Sequence, residues 1–133
     1  MKIETIEGIG PAFAKKLRAN GIKTTEALLK KGADKKGRAA IAEASKIDET
    51  LILNWVNRAD LMRVKGVGEE YSDLLEAAGV DTVKELRNRK PANLHAKMLE
   101  VNAAKKLARR PPSVSMVERW VAAAKELPPV VKY

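Results

Sequence analysis

There is no cysteine in these 133 residues. That excludes a disulfide scaffold, a thiolate metal site and a cysteine nucleophile, and it accords with a cytoplasmic location, which is the expected one. Histidine occurs once, as His95, with no cysteine and no evident carboxylate to work beside it. No Ser/His/Asp set, paired-carboxylate site or Walker loop is visible either. The expectation is a protein that is not an enzyme and holds no metal or cofactor. Aromatic residues are only 4% of the chain, so platforms on which single-stranded bases could stack are not evident. No apolar run approaches the roughly 18 residues of a membrane-spanning helix, and no membrane role is expected. The opening Met1-Lys2-Ile3-Glu4 lacks the charged-then-apolar form of a signal peptide.

What is present is apolar content of 45% and charge of 32%, enough for one compact domain or two small ones and too apolar for disorder. Lys and Arg number 26 against 17 Asp and Glu, a net charge of +9. A surplus of this size points to an acidic partner such as nucleic acid; a surface tuned for solubility is the plainer alternative. The surplus is not a tail. Residues 1–60 carry 12 basic and 8 acidic groups (+4), and residues 61–133 carry 14 and 9 (+5).

The chain repeats itself. Ile6-Glu7-Gly8-Ile9-Gly10-Pro11 returns as Val64-Lys65-Gly66-Val67-Gly68-Glu69. Gly66 minus Gly8 is 58, and the same offset relates Gly68 to Gly10, Tyr71 to Phe13, Leu75 to Leu17, Gly79 to Gly21 and Leu86 to Leu28. Two glycines around one aliphatic suit a very tight turn between helices, with the aliphatic plugged into the core. Pro11 suits the first position of the helix that follows, and Gly21 its left-handed end. Short helices are expected after Thr24 or Thr25 and after Thr82, where Thr82 with Glu85 reads as a capping box. Ala33 to Lys36 reads as a loop and 38–45 as a helix. Asp48 is expected to cap a longer helix through Trp55. Pro91 opens a helix with Leu94, Met98, Leu99 and Val101 inward. Ser115 with Glu118 reads as the cap of a last helix holding Trp120. Trp120 minus Trp55 is 65, so extra residues enter the second half, as a basic, proline-bounded insertion near 105–114. The fold class is all-α, in two halves, 1–60 and 61–133, of roughly five helices each.

The turns resemble helix-hairpin-helix motifs. Ile6-x-Gly8-Ile9-Gly10-Pro11, followed by Leu17 and Asn20-Gly21-Ile22-x-Thr24, is similar to the N-terminal domain of RecA-like archaeal and eukaryotic recombinases. In that five-helix, SAM-like domain a second, degenerate hairpin follows the first; Ser45 to Leu51 stands in that place, without glycines. The whole chain resembles an uncharacterised bacterial family of tandem helix-hairpin-helix proteins. The resemblance implies two tandem units forming a compact two-lobed protein, but no established activity.

It also implies a mode of binding. Helix-hairpin-helix turns hold the sugar-phosphate backbone without reading bases. Unpaired N–H groups at the start of the second helix, together with the helix dipole, receive a phosphate, and a lysine adds a charge-assisted contact. Here Gly8, Ile9, Gly10 and Pro11 supply that backbone, with Lys15 and Lys16 one turn on. Ala12 stands where many DNA-binding members carry lysine. In the second copy Lys65, Gly66, Val67 and Gly68 repeat the turn, but Glu69, Glu70 and Asp73 compete for the dipole and repel phosphate. The densest basic cluster is Lys105, Lys106, Arg109 and Arg110, in the insertion. Lys30, Lys31, Lys35, Lys36 and Arg38 form a lesser cluster, and Arg87, Arg89 and Lys90 another. A dinucleotide fingerprint is rejected, because Phe13 and Tyr71 stand where its third glycine belongs and no strand precedes. The expected function is sequence-independent binding of a nucleic-acid backbone, duplex DNA foremost. A protein-interaction or scaffold module is the alternative.

Overall fold

The computed structural model describes the whole chain, Met1–Tyr133, and it is all-helical. A 3-10 turn at Ile3–Thr5 precedes α1 (Pro11–Ala19), α2 (Thr25–Lys31), α3 (Lys35–Ser45), α4 (Glu49–Leu61), α5 (Glu69–Ala77), α6 (Val83–Leu86), α7 (Pro91–Lys105) and α8 (Val114–Glu126). The chain divides into one unit of Met1–Asp60 with Val130–Tyr133 and another of Leu61–Pro129. The last four residues, which sequence order places in the second half, thus belong to the first unit. There the Lys132 amide donates to Ala33 O at 2.7 Å, and Arg38 Nη2 donates to Lys132 O at 2.7 Å.

Each unit is built by the same hydrogen bonds, 58 residues apart. The Ile6 amide donates to Ile3 O and that of Ile9 to Ile6 O; Val64 to Leu61 and Val67 to Val64 repeat this. Ala14 to Gly10 returns as Ser72 to Gly68, and Ile22 to Leu17 as Val80 to Leu75. Thr24 Oγ1 accepts from the Ala27 amide at 3.0 Å, and Thr82 Oγ1 from the Glu85 amide at 3.3 Å. Ile9 and Val67 are buried, each plugging its turn into its own core. Full burial of such side chains stabilises by about 1.5–3 kcal/mol each. Around Ile9 the first core holds Ile3, Ile6, Leu17, Ile22, Leu28 and Trp55; around Val67 the second holds Leu74, Leu75, Leu86, Met98 and Trp120.

The repeat fails in instructive places. The second unit has four α-helices, not five. The lead-in that Ile3–Thr5 provides as a separate turn is supplied there by Leu61, the last residue of α4. α3 and α7 both end on a non-glycine residue in the left-handed conformation, Lys46 (φ 56°) and Lys106 (φ 52°). After Lys46 the chain enters α4 within three residues, with Asp48 Oδ1 accepting from the Thr50 amide at 2.7 Å. After Lys106 it runs through residues 107–113 before α8 begins. The insertion is therefore an enlarged version of the connection at Lys46–Asp48.

Three local expectations are corrected. Lys35 and Lys36 are the first residues of α3, not a loop, because Asp34 Oδ1 accepts from the Gly37 amide at 2.7 Å and starts the helix early. α8 is capped by Ser113, whose hydroxyl accepts from the Met116 amide at 3.2 Å, and not by Ser115. Leu99 is 39% exposed: on α7 the inward stripe runs through Leu94, Met98 and Asn102, one residue out of phase with it.

Candidate nucleic-acid interface

In the first unit, Gly8 turns the chain with φ +93°, a left-handed value that L side chains rarely adopt, and Gly10 heads α1 in extended conformation. No side chain caps α1, and a Cβ placed on Gly10 would meet nothing within 4 Å. The first-turn amides of α1 are thus left without a side-chain cap, and the space beside Gly10 is free. By contrast α2, α3, α6 and α8 carry the side-chain caps Thr24, Asp34, Thr82 and Ser113, while α7, opened by Pro91 after Lys90, has none. Beside the turn lies a depression of ≈ 470 Å³ lined by Glu4, Ile9, Pro11, Ala14, Lys15 and Arg18. Lys15 thus belongs to the face of the hairpin. Lys16 is exposed but does not line the depression, being a further 100° or so around the helix. Arg18 Nη2 donates to Glu4 Oε1 at 2.6 Å, and this bond holds the Glu4 carboxyl below its ordinary range. Part of the positive charge beside the hairpin is thereby spent within the unit.

The second hairpin repeats the backbone. Gly66 has φ +90°, and Gly68 heads α5 with no side-chain cap and nothing within 4 Å of a Cβ placed on it. Lys65 is exposed at the turn and Val67 is buried beneath it. What differs is the wall opposite. The basic insertion folds against this hairpin and encloses a pocket of ≈ 550 Å³, with Gly66, Gly68, Glu69, Glu70 and Tyr71 on one side and Ala108, Arg109 and Arg110 on the other. Residues that the sequence separates by about forty positions thus form one face. Lys105 and Lys106 are exposed at the end of α7 and do not line the pocket.

The insertion is pinned residue by residue. Buried Asn102 donates from Nδ2 to Ala108 O at 3.0 Å and accepts the Ala108 amide at 2.9 Å on Oδ1. The Tyr71 hydroxyl donates to Arg110 O at 3.0 Å. His95 Nε2 lies 2.9 Å from Pro112 O; since a carbonyl only accepts, Nε2 carries the proton and donates. Glu70 Oε1 accepts the Arg109 amide at 2.8 Å, while Oε2 lies 3.3–3.4 Å from the guanidinium. The amide bond, with the guanidinium behind it, holds the Glu70 carboxyl below its ordinary range. From the sequence, Glu70 is a carboxylate that repels phosphate and His95 has no metal or catalytic duty; in the structure both also hold the insertion. Neither Tyr71 nor Asn102 was expected to hold the loop. No spacing signal links 70 to 109 or 95 to 112, because the partners are backbone groups of an irregular segment.

Three residues of the lesser basic clusters have structural work. Lys31 Nζ donates to Asn20 O at 3.3 Å, and Arg89 Nη2 to Gly79 O at 3.2 Å. Each neutralises the carbonyl end of its unit's glycine-headed helix, a favourable place for a cation. Lys31 and Arg89 are also 58 apart. Arg38 is buried, donating to Gly32 O at 2.9 Å and Ala33 O at 3.1 Å as well as to Lys132 O, so it is not part of any external basic face.

These features define an all-α protein of two units, each opened by a glycine hairpin. The chain belongs to the family described as Domain of unknown function (DUF4332), whose model matches residues 7–127. No curated protein and no solved structure matches it. No helix is long and apolar enough to cross a membrane.

Proposed function

We propose that this protein binds the phosphate backbone of nucleic acid, duplex DNA foremost, without reading sequence and without catalysing a reaction. The turns are taken as helix-hairpin-helix hairpins. The observation that carries this reading is the pair of uncapped helix starts at Gly10 and Gly68, each headed by a glycine with free space where a Cβ would stand. An unpaired N–H at a helix start donates readily to a phosphate oxygen. Lys15 in the first unit, and Lys65 with Arg109 and Arg110 in the second, lie beside those starts and supply charge. Affinity rests on backbone contacts, so it is salt-dependent and indifferent to sequence.

Fluorescence anisotropy of unrelated duplexes at low and moderate salt tests this. Binding should occur to each duplex, fall steeply with salt, and weaken when Lys15 and Lys16 are both replaced by Glu. No binding at low salt rejects the reading. A protein-interaction module on the same fold is the second reading, favoured by the acidic Glu69 and Glu70 at the second hairpin. Recovery of a defined protein partner after nuclease treatment would support it.

A further inference from the structure

Glu70 sits where a ligand of the basic loop would sit. Its two oxygens collect three donors of one residue: the Arg109 amide at 2.8 Å, Nη2 at 3.3 Å and Nε at 3.4 Å. A main-chain N–H and a guanidinium converging on one pair of oxygens is also how a phosphate group is held. The Arg109 side chain is otherwise free to act, being 92% exposed, against 39% for Glu70. Glu70 comes from the first turn of α5 and lines the same pocket as Gly68 and Arg109.

We propose that Glu70 is an internal competitor: it occupies the anion-binding donors of Arg109, and a nucleic-acid phosphate must displace it to engage the second unit. This rests on the backbone-binding reading above and assigns its regulation in that unit to one carboxylate. The neighbouring Glu69 supplies the contrast. It carries the same charge in the same helical turn and lines the same pocket, but it makes no bond to Arg109. A purely electrostatic repulsion would treat the two alike; competition for donors singles out Glu70. Exposed ion pairs of this kind are weak, so displacement is easy and the effect is moderate.

The experiment compares the full chain with Glu70→Gln and Glu69→Gln in anisotropy titrations of one fluorescent duplex over a series of salt concentrations. Glutamine at 70 keeps an oxygen for the Arg109 amide and removes the ion pair, so the loop stays in place; circular dichroism and thermal melts check this. Glu70→Gln should bind about 2- to 5-fold tighter than the parent. Its salt slope should steepen by roughly 0.9, as one more phosphate is neutralised. Glu69→Gln should give less than half of that gain. Equal gains from the two variants, or weaker binding by Glu70→Gln, overturn the competitor role while leaving the backbone-binding reading intact. Failure of all three proteins to bind at low salt overturns that reading itself.

Discussion

Gly8 lies against the indole of Trp55: a Cβ built on Gly8 would come within 3.3 Å of Trp55 Nε1. The second unit repeats the relationship between Gly66 and Trp120, at 3.2 Å. An aromatic from the following helix completes each set, with Phe13 and Trp55 ring centroids 5.1 Å apart and those of Tyr71 and Trp120 also 5.1 Å apart. Each glycine hairpin is thus seated on a tryptophan delivered by the last helix of its unit. This explains why the turn and the tryptophan recur together even though an insertion changes the spacing between them.

Replacing Gly8 or Gly66 by alanine should therefore be costly on two counts. Both have φ near +90°, and both place the new methyl against an indole fixed in the core. A loss of about 1–3 kcal/mol per substitution is expected from the backbone conformation alone. Urea denaturation of each single variant measures it. A loss smaller than that of an alanine placed at an exposed helical site would show that the indole and the turn relax together.

Gly10 should behave in the opposite way. Its backbone is extended, with φ −82° and ψ −177°, and its surroundings are open, so serine fits there unstrained. Serine is a strong N-cap, and its hydroxyl would accept from the first-turn amides of α1. Gly10→Ser should raise stability by a few tenths of a kcal/mol. It should at the same time weaken duplex binding, because the donors offered to phosphate are then occupied. Thermal melts and anisotropy on one preparation give both readings. A stabilised variant that binds as well as the parent would remove α1 from the interface.

The elements that were legible in the sequence are those whose residues have one job. Gly8, Gly21, Gly66 and Gly79 all take positive φ, so their identity was imposed by local backbone geometry and their spacing exposed the repeat. Ile9 and Val67 were legible from the same turns: an aliphatic that directly follows a positive-φ glycine in each turn is buried. The caps were less legible. Ser115 with Glu118 fits the capping-box pattern, yet Ser113 caps the helix, because Pro112, Tyr71 and Asn102 set the path of the insertion. Charge was least legible. Arg38, Lys31, Arg89 and Arg109 read alike in a sequence, yet one is buried beneath the C-terminal tail, two close helix ends and one faces a pocket. What separates them is which carbonyls lie within reach, a property of tertiary structure.

Asn102 should prove to be the residue on which the basic loop depends. Its amide makes both bonds to Ala108, and both residues are buried. Asn102→Ala leaves the Ala108 N–H and C=O without those partners, at an expected cost of about 2–4 kcal/mol. Hydrogen exchange should then accelerate at residues 108–110 more than at α5 or α6. Uniform acceleration across the second unit would mean that the side chain supports the core in general and not the loop in particular.

Three carboxylates shape the response to acid: Glu26, lowered to about 2 by its hydrogen bond from the N-terminal ammonium, and Glu4 and Glu70. Glu4 is held below its ordinary value of 4.5 by the hydrogen bond from Arg18, and Glu70 is lowered by the amide and guanidinium of Arg109. A carboxyl that releases its proton more readily in the folded chain than in the unfolded one favours folding whenever it is ionised. The contribution is therefore complete above about pH 4.5 and disappears as pH falls through the lower, folded-state value. Glu4→Gln should be less stable than the parent at neutral pH and converge on it in acid, once the parent's own carboxyl is protonated. Adding Glu70→Gln should flatten the acid limb further. Both groups are exposed, so each step should be small. Urea midpoints at the two pH values decide the matter: a gap between parent and Glu4→Gln that persists unchanged in acid would mean that glutamine alters packing at Arg18 and that the ion pair contributes nothing.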